Sequence, residues 1–147
     1  MESSSSFQLA IDSLWPLLQA LLVGTIPLTA ASFVIGLVVA LVAALARISG
    51  VWLFRSISAA YISVIRGTPL LLQLFIIFYG LPSFGIVFNP WPSAIIAFSL
   101  NVGGYAAETI RAAILSIPKG QWEAAATVGL TRNQALRRVI LPQATRV

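Results

Sequence analysis

No cysteine and no histidine occur in the chain. Their absence excludes disulfide frameworks, Cys/His zinc sites, thiol nucleophiles and histidine acid–base chemistry together. Acidic residues are scarce: Glu2, Asp12, Glu108 and Glu123 are dispersed and suggest no paired-carboxylate site. A G-x-x-x-x-G-K-[ST] phosphate loop is also missing, so nothing in the sequence would cradle a nucleotide. The expectation is a protein that is not an enzyme and carries no cofactor or metal of its own.

Charge of either sign is in short supply. Only 9% of the residues are charged and 59% are hydrophobic, against roughly 25% and 45–50% in soluble domains. That polar surface is too small to cover a water-facing globule, so the bilayer is the expected solvent for a single membrane domain. The net charge of +5 could serve nucleic acid or an anionic surface. The basic residues lie at one end of the apolar segments, however, and read as topology determinants, with no nucleic-acid role.

About 20 apolar residues cross a hydrocarbon core as a helix. Three stretches qualify, at about 20–46, 58–79 and 93–117. The first is longer than one span requires, by tilt or by an interfacial helix over residues 7–18. It also exceeds a cleaved signal peptide and lacks a basic lead-in, so it is read as retained. If the spans alternate, Arg47, Arg55, Lys119, Arg132, Arg137, Arg138 and Arg146 share one side. The positive-inside rule then places the N-terminus outside and the segment after residue 117 in the cytoplasm.

That segment, 118–142, turns amphipathic. Pro118 is suited to opening a helix, and Glu123 near its start is favoured by the helix dipole. Gly129 reads as a break and Thr131 as the N-cap of a second helix through Val139, with Pro142 closing the unit or marking entry to a further span. Ala124, Ala125 and Gly129 would let another backbone approach closely, as a helix lying in a partner's groove requires. An amphipathic helix resting on the membrane surface has the same composition.

The spacing separates these two readings. Glu123-Ala124-Ala125 is followed after three residues by Gly129, and after nine more by Val139-Ile140-Leu141-Pro142. This resembles the EAA loop of the membrane subunits of bacterial ABC importers, with Val139 in place of the usual Ile. Arg66-Gly67-Thr68-Pro69-Leu70, Tyr79-Gly80-Leu81-Pro82 and Ala106-Ala107-Glu108-Thr109-Ile110-Arg111 extend the similarity to permeases for polar amino acids. The wording from Tyr79 to Ala125 is most similar to cystine permeases.

The resemblance implies an all-α transmembrane bundle of the ABC importer type I permease kind in the bacterial inner membrane. It implies a cytoplasmic loop that docks an ATPase dimer through Glu123, Ala124, Ala125, Gly129, Leu141 and Pro142. The other implied partners are a second permease copy or paralogue, an extracytoplasmic solute-binding protein, membrane lipid and a polar amino acid such as L-cystine. ATP is used by the partner subunit. Members of the family have a core of five membrane helices, whereas this chain offers three. It is read as a fragment of a longer permease or as a truncated product. The rival reading is a non-transporting membrane protein that binds only the ATPase or a full-length permease.

Within the bilayer, an ionisable residue is costly and marks function by default. Arg66 and Glu108 lie at matching depth and could pair between helices, and Glu108 and Arg111 could pair within one helix at i,i+3. Either arrangement is a structural ion pair, a contact for a zwitterionic substrate, or both in exchange. Pro69 should break the hydrogen-bond ladder of the second span and bias Thr68 away from helix. Gln73, one turn on, could bond the freed backbone or the solute. Ser99, Gly103 and Ala107 recur every four residues and offer a small face for helix packing.

Overall fold

A computed structural model describes residues 2–146, with side chains from residue 7 onward. The regular structure of these residues is helical. Helix α1 (Glu2–Ala20) runs through a π-helical turn (Leu21–Thr25) into α2 (Ile26–Ile48). Then follow α3 (Trp52–Gly67) and α4 (Leu70–Phe75), the latter extended by a π-helical turn (Ile76–Gly80) and a 3-10 turn (Leu81–Phe84). A long α5 (Pro90–Ser116) leads to α6 (Lys119–Thr127). The described residues close with α7 (Arg132–Ala135), a π-helical turn (Leu136–Ile140) and α8 (Leu141–Ala144).

Each π-helical turn ends two residues before a proline: Thr25 before Pro27, Gly80 before Pro82 and Ile140 before Pro142. The residue between them donates to the carbonyl five positions back, Ile26 to Leu21, Leu81 to Ile76 and Leu141 to Leu136. A proline inside an α-helix clashes with the carbonyl four residues earlier and lacks the N–H to bond it. In all three cases that carbonyl lies in the widened turn, which lets the helix continue past the ring. Pro142 therefore does not close the loop unit, which runs on helically to Ala144.

The same device makes the first segment one continuous helix, whose 42 residues Phe7–Ile48 include an 18-residue stretch of mean hydropathy 2.6. Residues 7–18 form no separate element from the span at 20–46. Among the described residues this is the one helix long and apolar enough to cross a bilayer by itself. The second segment, expected at 58–79 with a break at Pro69, is interrupted there between α3 and α4. Trp52–Gly67 and Leu70–Phe84 meet at 108° and reach membrane-crossing size only as a bent pair. Helix α5 covers 93–117 almost entirely and its 27 residues are long enough to span. Asn101, Glu108 and Arg111 make it less apolar than α2.

Small residues bring α2 and α5 together. On α2, Ser32, Gly36, Ala40 and Ala44 recur every four residues and all are buried. On α5, Ser99, Gly103 and Ala107 are buried likewise, and Ser99 Oγ donates to the Ser32 carbonyl at 3.2 Å. A Cβ on Gly36 would stand 2.7 Å from Val102, and one on Gly104 2.5 Å from Ile65 of α3. Without a hydrophobic drive between helices in lipid, such close approach supplies the dispersion contact that holds a bundle. Hydroxyls on α3 add two anchors: Ser58 Oγ donates to the Ala43 carbonyl at 2.7 Å and Tyr61 Oη to the Leu100 carbonyl at 2.6 Å.

A second core, Ile114, Ile117, Ile140 and Ala144, packs with Trp122, Leu45 and Leu136. It seats the α6–α8 segment against the ends of α2 and α5.

Candidate functional site

Two places combine polar chemistry with exposure: the α6–α7 loop and the break between α3 and α4. The loop begins at Pro118, whose extended backbone (φ −54, ψ 140) caps α6. It turns at Gly129, where φ is +80. There the Leu130 amide donates to the Ala125 carbonyl at 3.0 Å and the Gly129 amide to the Ala126 carbonyl at 2.9 Å. This pair of bonds is the Schellman arrangement, which requires a left-handed residue best supplied by glycine. Thr131 then caps α7 through a reciprocal box with Gln134: Gln134 N donates to Thr131 Oγ1 at 3.4 Å and Thr131 N to Gln134 Oε1 at 2.9 Å. Gln143 Nε2 donates to Gln121 Oε1 at 3.1 Å and ties α6 to α8.

The six residues expected at a docking surface fall into two groups. Glu123, Ala124, Gly129 and Pro142 are exposed. Ala125 is buried and the partly buried Leu141 packs on the Ile114–Ile140 core, so these two secure the loop to the bundle. The sequence reading passed over Val128, which stands at the loop tip with 74% of its surface exposed. An apolar residue directly before a left-handed glycine is the signal that could have marked it. Behind the loop, a cleft of about 860 Å³ lies between α6–α7 and the ends of α2 and α5, with Trp122, Leu130, Arg132 and Arg137 in its wall.

At the other place, Pro69 and the extended Thr68 (φ −121, ψ 140) end α3. The carbonyls of its last turn then need donors from outside the ladder. Thr68 Oγ1 donates to the Val64 carbonyl at 2.8 Å. Gln73 Nε2 reaches the Ile65 carbonyl at 2.9 Å, the Thr68 carbonyl at 3.1 Å and Thr68 Oγ1 at 2.9 Å. Asn101 Nδ2 of α5 completes the knot by donating to Gln73 Oε1 at 3.2 Å. Of the two roles open to Gln73, the buried amide takes the structural one and bonds the freed backbone.

Glu108 pairs with Arg111 on α5, with Arg111 Nε also 3.0 Å from Glu108 Oε1. The alternative Arg66–Glu108 pair does not form. Arg66 instead lies over the Tyr105 ring, its Cζ 5.7 Å from the centroid. The structure thus brings Thr68, Gln73 and Asn101 together, keeps Glu108 with Arg111, and leaves Arg66 exposed. No group of three or more acidic residues able to hold a metal occurs among the described residues.

The model of the family described as binding-protein-dependent transport system inner membrane component matches residues 32–147. The chain belongs to this family. It is 57% identical to the L-cystine transport system permease protein TcyB of Bacillus subtilis (strain 168), over 96% of this chain and 60% of that protein. It is 45% identical to the probable amino-acid ABC transporter permease protein YckA of the same organism, over 84% of this chain and 54% of that one. The crystal structure of an amino acid ABC transporter with histidines superposes with a TM-score of 0.83 at 38% identity, over 94% of this chain and 64% of that one. The chain therefore spans little more than half the length of these permeases. Its fold is that of a type I ABC importer permease, all-helical and membrane-embedded.

Proposed function

We propose that the chain forms part of the permease subunit of an ATP-driven importer for a polar amino acid, with L-cystine as the leading substrate. Supporting this substrate is the 57% identity to an L-cystine permease. The ATPase dimer would dock on the exposed side of the α6–Gly129–α7 turn, through Glu123, Ala124, Val128 and Gly129. Solute would move through an assembly with a second permease copy or paralogue, delivered by an extracytoplasmic binding protein. The N-terminus would lie outside and the loop in the cytoplasm.

The observation that carries the reading is the loop itself: a helix closed by a left-handed glycine, with an exposed apolar tip at Val128 and the exposed Glu123 and Ala124. Such a shape fits a groove in a partner. For the pathway, Arg66 is the group of choice. Glu108 and Arg111 neutralise each other, Thr68 and Gln73 are spent on backbone carbonyls, and the Arg66 guanidinium remains free to hold a carboxylate.

Gly129 tests the docking. A Cβ there would meet nothing within 4 Å, so the local cost comes from the positive φ alone. Asparagine accepts that backbone better than other residues. Gly129→Asn should retain ATPase co-purification and ATP-dependent uptake, whereas Gly129→Asp should lose both through the added charge. Equal retention by the two variants would refute the docking assignment.

A further inference from the structure

Helix α3 presses on α5 where Ile65 meets Gly104: a Cβ on that glycine would stand 2.5 Å from Ile65. The next residue of each helix, Arg66 and Tyr105, emerges beside this contact, and the Arg66 Cζ lies 5.7 Å from the centroid of the Tyr105 ring. Three bonds hold the end of α3 in place: Gln73 Nε2 donates to the Ile65 and Thr68 carbonyls, and Asn101 Nδ2 to Gln73 Oε1. Arg66 occupies the last turn of α3, where the helix dipole favours a cation. Tyr105 is 49% exposed, so its ring fills no core and its position is not explained by packing.

Glu108 makes the contact informative. It stands one turn beyond Tyr105 on α5, at i,i+3, and the Arg66 charge acts on it across the gap. In a surrounding of low dielectric, opposite charges attract strongly and would close on one another if free to do so. They do not close. Arg111 Nε holds Glu108 Oε1 at 3.0 Å, and Arg66 lies over the ring. The two arrangements leave a guanidinium in different chemical states. A carboxylate partner takes up N–H donors, two of them when the pair is bidentate. An aromatic face attracts the cation through the ring quadrupole, so the donors stay open for another acceptor.

We propose that Tyr105 is a positioning residue for the solute: its ring holds the Arg66 guanidinium away from Glu108 and presents it, with its donors uncommitted, to the carboxylate of an amino acid. The inference rests on the pathway role assigned to Arg66 under the proposed function and identifies what sustains that role. The group recognised is the carboxylate common to amino acids.

Two measurements test it. The first is modification of Arg66 by phenylglyoxal in the full chain reconstituted in vesicles, resolved from the other arginines by peptide mass spectrometry. Tyr105→Leu should slow modification of Arg66 by about three- to tenfold, the reach of a cation–π contact at a half-exposed ring, because the guanidinium moves to Glu108. Tyr105→Phe keeps the ring and should keep the parent rate, and Tyr105→Leu/Glu108→Gln should restore it. The second is the KM for amino acid uptake by the assembled importer. It should rise by a similar factor in Tyr105→Leu at unchanged turnover and stay at the parent value in Tyr105→Phe. An Arg66 rate unchanged or raised in Tyr105→Leu would overturn the positioning role. A parent KM in Tyr105→Leu, with the KM raised in Arg66→Gln, would overturn the inference and leave the Arg66 assignment standing. A parent KM in Arg66→Gln would remove both.

Discussion

Replacing Gln73 by leucine removes the amide that stands in for the missing ladder at Pro69. Leucine is of similar size and apolar, so the change isolates hydrogen bonding from volume. Four groups lose a partner: the Ile65 carbonyl, the Thr68 carbonyl, Thr68 Oγ1, which keeps its bond to the Val64 carbonyl, and Asn101 Nδ2. An orphaned buried polar group costs about 1–3 kcal/mol in proteins generally. Inter-helix hydrogen bonds in membranes average about 0.6 kcal/mol, because the loosened state finds other partners. Taking the lower figure for the Asn101 bond and about 1–2 kcal/mol for each carbonyl gives a loss of about 2.5–4.5 kcal/mol. The assay is reversible unfolding in mixed micelles at rising SDS fraction, read by circular dichroism. Pairing the change with Asn101→Leu in a double-mutant cycle should yield a coupling of about 0.5–1.5 kcal/mol, because these side chains share one bond. A Gln73→Leu protein within about 0.5 kcal/mol of the parent, the scatter of a neutral surface change, would refute the idea that this amide holds the break.

Other consequences are as direct. Gly104→Val places a Cβ 2.5 Å from Ile65 and should destabilise by about 1–3 kcal/mol through overpacking, measured by the same unfolding. Thr131→Ala removes the oxygen that accepts from Gln134 and should cost about 1 kcal/mol, seen as faster amide hydrogen exchange confined to α7. Arg66→Gln should raise the KM for uptake by tenfold or more, as loss of a charge-assisted bond of about 1.5–3 kcal/mol implies, while ATPase co-purification stays unchanged. An unaltered KM would remove Arg66 from the pathway.

Much of this molecule was legible in its sequence because the signals are local. Composition placed the chain in a bilayer, since a surface that poor in charge cannot face water. The left-handed turn at Gly129 and the cap at Thr131 follow from backbone allowances of glycine and threonine within a few residues. The extended Thr68 likewise needs no more than the ring of its neighbour Pro69. The small face of α5 was readable from its period of four.

Tertiary structure decided what depends on a second element. The sequence shows that Pro69 breaks a helix but not through what angle. The 108° bend is set where Gln73 finds the Ile65 and Thr68 carbonyls and Asn101 finds Gln73. Glu108 had two possible arginines, and the shorter tether on its own helix prevailed over Arg66, which turned to Tyr105. Ala124 and Ala125 are equivalent as letters, yet only packing of the loop determines that one faces out and the other in. Local sequence specifies which conformations a segment can adopt. Which groups meet is specified by the distances between segments, and these exist only once the helices have packed.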